Sequence, residues 1–527
     1  MTQVFKPLRT AVVLAVSAFV CSGAMAAASA DAGSVRVIVA YKAGAAAKIR
    51  SGLAALGGKV RADLADDSAI AITVPKAKLA KLKKLAGVDY VEEDYVHKIL
   101  GKRSTSVKSR KVAAAAASTQ TVPYGITLVQ ADQVSGTPAW TPKVCIVDSG
   151  IDGTHEDLVG NKLAGQNFSG SGSWNTDESA HGTHVAGTIA ALDNDLGVVG
   201  VNGKKQVSLY IAKVFDASGS ASASTITKAI NACGRAKANI VSMSLGSNGA
   251  SKTEKRVIDR LAKKGILFIA AAGNDGTTAV SYPAGFDNVM SVAAVDENKA
   301  WATFSQYNST VDIAAPGVAV VSTVPPNVLT MGVLKVGGVT VPSLSMEGSP
   351  VTGATGPLAD FGFGDTAAAG SMTGKVCLIS RGNISFADKV VNCQTSGGIG
   401  AVIYNNTAGE LAGTMGEVVT TIPSVGITQA DGATLMGKLG TSTYVAIEPD
   451  PAKYSAFNGT SMATPHTSAV AALVWSYFPS CTASQIRASL INSALDIGDT
   501  GRDDKTGAGL VQAKAAIDRI NTMGCGN

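Results

Sequence analysis

Three short segments, far apart in the chain, carry side chains able to activate a hydroxyl group. Gly459-Thr460-Ser461-Met462-Ala463-Thr464-Pro465-His466 reads as a small-residue helix start with a serine one place inside it. Val144-Cys145-Ile146-Val147-Asp148-Ser149-Gly150 is an apolar strand ending in a carboxylate. His181-Gly182-Thr183-His184-Val185-Ala186-Gly187-Thr188 puts a histidine at the opening of another small-residue helix. A lone serine hydroxyl is a poor nucleophile near neutral pH. It needs an imidazole to take its proton, and the imidazole needs a carboxylate to fix its tautomer and steady its charge. Each residue alone has an ordinary reading: Asp148 a turn, His181 the surface, Ser461 a helix cap. Taken together they are the parts of an acyl-transfer triad.

Those parts need a scaffold that holds distant residues together. Apolar runs at 143–147, 207–214, 239–244, 266–271 and 289–295 are rich in Val, Ile and Ala, as strands covered on both faces must be. Helical stretches at 181–192, 224–236 and 251–264 lie between them. Alternating units of this kind predict an α/β fold, a doubly wound parallel sheet with helices on both faces. Ligands in such sheets bind at the carboxyl ends of strands. Asp148 ends one run and Asn274 follows another.

With their flanks, the three segments resemble the subtilisin-like serine proteases, from about residue 120 to 325 and again from 454 to 520. The resemblance implies a subtilisin-like peptidase domain at 119–326 and 453–527. It implies Ser461 as nucleophile, His181 rather than His184 or His466 as general base, and Asp148 as the orienting carboxylate. It also matches Asn274, in Ala271-Ala272-Gly273-Asn274-Asp275-Gly276, to the amide that shares the oxyanion with the Ser461 N–H. Ser244-Leu245-Gly246 and Gly219-Ser220-Ala221 resemble the two edges between which extended substrate peptide is added as a strand. The segment 192–198 resembles a loop that binds structural Ca2+. Leu192, Asn194, Leu196 and Val198 lie on it, and Gln120 and Asp157 supply further oxygen ligands. Zinc is a poorer reading of His181 and His184, because H-E-x-x-H is absent.

The N-terminal part reads as a precursor segment. Lys6 and Arg9 precede an apolar stretch and Ala24-Met25-Ala26, a signal peptide over 1–26 that directs secretion. Residues 27–118 read as a propeptide with a core at 34–98 and a linker at 99–118. The core pattern β-α-β-α-β, ending Asp89-Tyr90-Val91-Glu92-Glu93-Asp94, resembles the small ferredoxin-like α+β chaperone and inhibitor of subtilisins. The linker is basic and alanine-rich, with no plausible core, and cutting within it frees a mature chain starting near Thr119. Through Ser118 there are 19 Lys and Arg against 8 Asp and Glu, a net +11; from Thr119 there are 26 against 31, a net −5. The basic charge therefore sits on the part expected to leave, which argues against nucleic acid as a partner. No apolar run reaches membrane-spanning length. The expected partners are protein or peptide substrates and the chain's own propeptide, with the mature enzyme a monomer.

Six cysteines follow the signal region, an even count that suits disulfides in an exported protein. Locality favours Cys377–Cys393 and Cys481–Cys525. That leaves Cys145 and Cys233, either as a third bridge or as two buried thiols. Residues 327–452 interrupt the protease pattern. Gly374-Lys375-Val376-Cys377-Leu378-Ile379-Ser380-Arg381-Gly382 and Ala401-Val402-Ile403-Tyr404-Asn405-Asn406 resemble the β-rich protease-associated domain. Two other functions compete with an endopeptidase. A serine esterase of the α/β-hydrolase type needs G-x-S-x-G, but position 463 is Ala and the serine comes last of the three. An inactive exported binding protein would not need all four of Asp148, His181, Asn274 and Ser461.

Overall fold

The computed structural model describes residues 33–104, 107–116 and 119–525. The signal-peptide reading lies outside the described residues. At the centre is a seven-stranded sheet in which every pair is parallel. In spatial order its strands are Ile313–Pro316, Val289–Val295, Leu267–Ala271, Ile240–Met243, Lys143–Asp148, Ser208–Lys213 and Lys162–Asn167. Alternate side chains of the Lys143–Asp148 strand feed two cores. Val144 and Ile146 face the helices His181–Ala190 and Thr460–Tyr477, whereas Cys145 and Val147 face Ala223–Arg235 and Lys252–Ala262. Burial on both sides is why the strand reads as a continuous apolar run. The outer strand Lys162–Asn167 (KLAGQN) escapes that signal because alternate residues face water.

The N-terminal segment forms its own antiparallel sheet, ordered Lys59–Leu64, Ala69–Pro75, Ser34–Tyr41 and Val88–Glu93. The helix Ala46–Ala55 packs on it through Ile49 and Leu53. Two details differ from the sequence reading. The strand Lys59–Leu64 is unforeseen because three of its first residues are exposed. The second helix of the expected β-α-β-α-β pattern is only a 3-10 turn, Lys76–Lys78, followed by one α turn, Leu79–Leu82.

The linker also differs from expectation. It was expected to lack a core, yet Val107–Ala116 is helical, and Ala116, with Val112 and Ala113 beside it, packs on Ala191, Val198, Val321, Tyr454 and Ala456. Alanine is the strongest helix former, and its small side chain lets the helix lie close to a shallow apolar surface.

An eight-stranded mixed sheet fills the region between the two segments that build the parallel-sheet domain. Its core strands, Gly353–Asp360, Val376–Ser380, Gly400–Tyr404 and Ser424–Ile427, run parallel, and two helices, Phe386–Thr395 and Gln429–Met436, cover it. The chain enters and leaves along one ribbon: Val320–Thr323 pairs antiparallel with Tyr454–Asn458. Further out, Asn327 donates to the Asp450 carbonyl and Asp450 to the Leu329 carbonyl. Disulfides join Cys145 to Cys233, Cys377 to Cys393 and Cys481 to Cys525.

Candidate active site

Asp148 closes the central strand and is fully buried, and His181 opens its helix with 1% of its surface exposed. The imidazole Nδ1–H donates to Asp148 Oδ1 over 2.8 Å. That bond commits the proton to Nδ1 and leaves Nε2 bare, the form that accepts a proton. His181 Nε2 has no hydrogen-bond partner among the described residues. The start of its helix is organised by Asp177, which accepts from Ala180 N, Thr183 N and Thr183 Oγ1, and by Ser149, whose hydroxyl accepts from Gly182 N. Asp177 escaped the sequence reading, although an acid just before a helix is a recognisable start signal.

The two histidines that compete with His181 for the role of base, His184 and His466, are occupied elsewhere. His184 Nε2 donates to the carbonyls of Val320 (2.9 Å) and Ser455 (3.1 Å), and its ring stacks on Phe457. Burial pushes its pKa down to about 3. His466 Nδ1 donates to Met462 O, and burial pushes it down to about 4. Both stay neutral at physiological pH as packing residues.

Ser461 lies one residue into the helix Thr460–Tyr477, and its hydroxyl donates to Ser244 O at 2.9 Å. The decisive neighbour is Leu100. Its carbonyl oxygen accepts from Asn274 Nδ2 at 2.6 Å and from Ser461 N at 3.2 Å. Asn274 is aimed by Thr460, whose N–H and hydroxyl both donate to Asn274 Oδ1, at 2.9 and 2.8 Å. That lock fixes which end of the amide faces the carbonyl, and nothing in the sequence pattern announced it. Gly459 has φ 152°, and a side chain there would collide with Leu100 O. Beyond the carbonyl, a Cβ added to Gly101 would stand 2.8 Å from His181 Nε2. The Leu100–Gly101 peptide thus lies between two N–H donors and a bare imidazole nitrogen.

Residues before that bond form a strand. Val96–Ile99 pairs antiparallel with Ser220–Ser222 on one side and Leu245–Gly246 on the other. Ile99 N donates to Gly219 O and Leu100 N to Ser244 O. All six residues named as substrate edges, Gly219, Ser220, Ala221, Ser244, Leu245 and Gly246, therefore flank this segment. His97, four residues before the bond counting Leu100 as the first, is fully buried, with Nε2 3.2 Å from the equally buried Glu254 Oε2. The body of the N-terminal segment is held by its acids. Asp94 accepts from Ser224 N and Oγ at the start of the helix Ala223–Arg235. Glu92 accepts from Lys252 N and Thr253 N at the start of Lys252–Ala262. Carboxylates at helix N-termini meet unpaired N–H groups and the positive end of the dipole.

The segment 192–198 turns beside Asp157. Asp157 is fully buried; its Oδ2 accepts from Val198 N at 2.8 Å, and its Oδ1 has no hydrogen-bond partner among the described residues. Burial raises its pKa. Gln120 Oε1 accepts from Asn194 N, and Asn194 Oδ1 from Leu196 N. Among the described residues no three His, Cys, Asp or Glu side chains cluster as a metal site. A cation here would have to rely on amide and carbonyl oxygens beside one carboxylate, a donor set that suits a hard ion.

Comparisons with known proteins bear on the family and the fold. The model of the subtilase family matches residues 141–349, that of the PA domain residues 351–435, and that of a putative peptidase inhibitor domain residues 7–94. Subtilisin DY of Bacillus licheniformis is 44% identical over 217 residues, 40% of this chain and 78% of that protein. Subtilisin Savinase of Lederbergia lenta is 43% identical over 208 residues, 39% of this chain and 76% of its own length. Among solved structures, the psychrophilic subtilisin-like protease Apa1 of Pseudoalteromonas sp. AS-11 superposes with a TM-score of 0.54 at 39% identity, covering 77% of this chain and all of that one. Fervidolysin of Fervidobacterium pennivorans shares the fold, with a TM-score of 0.58 at 23% identity over 92% of this chain and 61% of its own. The chain belongs to the subtilase family and is a serine endopeptidase, with an inhibitor-like N-terminal domain and an inserted PA domain.

Proposed function

We propose that the chain is an exported endopeptidase made as an inhibited precursor, and that the first bond it hydrolyses is its own Leu100–Gly101. The observation that carries this reading is the Leu100 carbonyl, held by Asn274 Nδ2 and Ser461 N as an oxyanion would be. Ser461 Oγ, released from Ser244 O, adds to the Leu100 carbonyl carbon while His181 Nε2 takes its proton. Asp148 holds the imidazole in the correct tautomer and stabilises the imidazolium. The charge that develops on Leu100 O meets two fixed donors at no reorganisation cost. His181 then protonates the departing Gly101 nitrogen, leaving Leu100 as an ester on Ser461. Water, deprotonated by His181, hydrolyses that ester.

After the cut, the strand Val96–Ile99 and the caps made by Glu92 and Asp94 keep the propeptide in the cleft as product and inhibitor. A second trim, beyond Gly101, gives a mature chain starting near Thr119. The same strand pairing accepts peptide from other proteins, and Leu100 favours an apolar residue before the cut. A sulfonyl fluoride directed at serine tests the reading. It should abolish hydrolysis of peptide esters and appear on Ser461 in peptide mapping; a label elsewhere with activity lost would reject it.

Calcium is proposed for the segment 192–198, held by Asp157, Gln120, Asn194 and carbonyls at Leu192, Leu196 and Val198. The buried, unpaired Asp157 Oδ1 supports it. Its role is to clamp the segment, not to enter the reaction. A cation at about a hundred times its dissociation constant adds about 2.7 kcal/mol of stability. Chelation should therefore lower Tm by several degrees in the wild type and by much less in Asp157→Asn; equal shifts in both would rule this site out.

A further inference from the structure

We propose that the base of the inserted domain forms a pocket selecting arginine at the third residue after the cut bond. This rests on the reading that Leu100–Gly101 occupies the site as substrate. Beyond that bond, Lys102–Arg103 pairs antiparallel with the strand Tyr454–Asn458, Arg103 opposite Phe457, and Ser104 N donates to Ala456 O at 2.6 Å. The leaving side of the substrate is thus also bound as a strand, which fixes where its third side chain goes.

That side chain enters a pocket lined with acceptors. The Arg103 guanidinium pairs with Asp450 through Nη2, donates from Nη1 to Thr330 O at 2.9 Å, and from Nε to Ser455 Oγ at 3.1 Å. Thr330 opens the first strand of the insertion, and Asp450 follows its last strand, Ser442–Pro449. Ser455 belongs to the peptidase strand. Asp450 is 7% exposed. Ala452 N donates to its Oδ1, and its own N–H donates to Leu329 O, so the carboxylate has one orientation, with Oδ2 facing the substrate. A planar fork of N–H donors meets a carboxylate, a carbonyl and a hydroxyl at once. A lysine ammonium can satisfy fewer of these from one position. A glutamate would bring like charge against Asp450 and leave the Thr330 carbonyl unmatched. The insertion therefore contributes to recognition of ordinary substrates as well as of the precursor.

The test uses the mature enzyme and internally quenched peptides that differ only in the third residue after the cut: Arg, Lys, Ala or Glu. Wild-type kcat/KM should favour Arg over Ala by about tenfold, with Lys between them and Glu lowest, on the scale of one charge-assisted hydrogen bond. Asp450→Asn should bring the Arg-to-Ala ratio to within about threefold, and Asp450→Arg should place Glu above Arg. Each ratio is read within one enzyme, so partial folding cancels. Should Asp450→Arg not fold, the wild-type and Asp450→Asn ratios still decide. Equal rates for Arg and Glu in the wild type, or an unchanged ratio in Asp450→Asn, would overturn the pocket while leaving the endopeptidase reading intact. Failure to cut any of the four peptides would instead overturn that reading, and the pocket with it.

Discussion

Ser461→Ala should fold, remain at full length, and hydrolyse peptide esters about 10⁶-fold more slowly than the wild type. The size of the loss is that seen when the nucleophile of such a triad is removed. It follows from what remains: Asn274 and the residue-461 N–H still polarise a carbonyl, but no oxygen is present to form the ester on which both half-reactions depend. Structural cost should be small. The lost hydroxyl donates one hydrogen bond, to Ser244 O, and that carbonyl keeps its bond from Leu100 N. Turnover on a peptide ester, together with a thermal melt close to the wild type, checks the expectation. A loss below a hundredfold in a folded protein would mean that another group attacks.

Asn274→Ala should lower kcat by about two to three orders of magnitude, roughly 3 kcal/mol of transition-state stabilisation, with KM little changed. The amide contributes most when the carbonyl oxygen carries negative charge, so its removal touches the ground state less than the transition state. The 2.6 Å bond from Asn274 Nδ2 to Leu100 O sets the donor against the oxygen that gains charge in the proposed reaction. Thr460 prepays the orientation of that donor, holding Oδ1 with two hydrogen bonds. A parallel rise in KM with unchanged kcat would instead make Asn274 a binding residue.

The central fold was readable because its strands are buried on both faces. A run such as Val144 to Val147 is too apolar for a loop or a solvent-facing helix, and Asp148 stands out as the first charge after it. Edge strands gave no such signal: Lys59–Leu64 and Lys162–Asn167 alternate with water on one side, and their polar residues look like loop. Helix starts were marked by small residues, which made His181 and Ser461 visible as candidates. Their roles came from the family resemblance, because periodicity does not distinguish His181 from His184. The difference is three-dimensional: His184 meets two carbonyls, whereas His181 meets a carboxylate.

Contacts between remote segments were the least legible. Thr460 orienting Asn274, Asp177 organising the His181 helix, Glu254 facing His97 and Asp450 holding Arg103 each depend on topology, which no local pattern encodes. The linker's packing is hidden in the sequence for a related reason. An alanine run looks coreless until a complementary surface is placed beside it, and Ala116 finds one against Val198 and Tyr454. The bond proposed to be cut first was equally hidden. Composition points to a mature chain starting near Thr119; strand pairing puts Leu100, nineteen residues earlier, against Asn274 Nδ2, which is what leads to the proposal of an earlier first cut.

N-terminal sequencing with intact mass, run side by side on freshly expressed wild type and Ser461→Ala, is the most direct measurement. The wild type should yield a first new N-terminus of Gly-Lys-Arg-Ser, from hydrolysis between Leu100 and Gly101, and Ser461→Ala should yield none. A wild-type chain opened first at Thr119 with Leu100–Gly101 intact, or the same Gly101 terminus arising in Ser461→Ala, would contradict self-cleavage at this site.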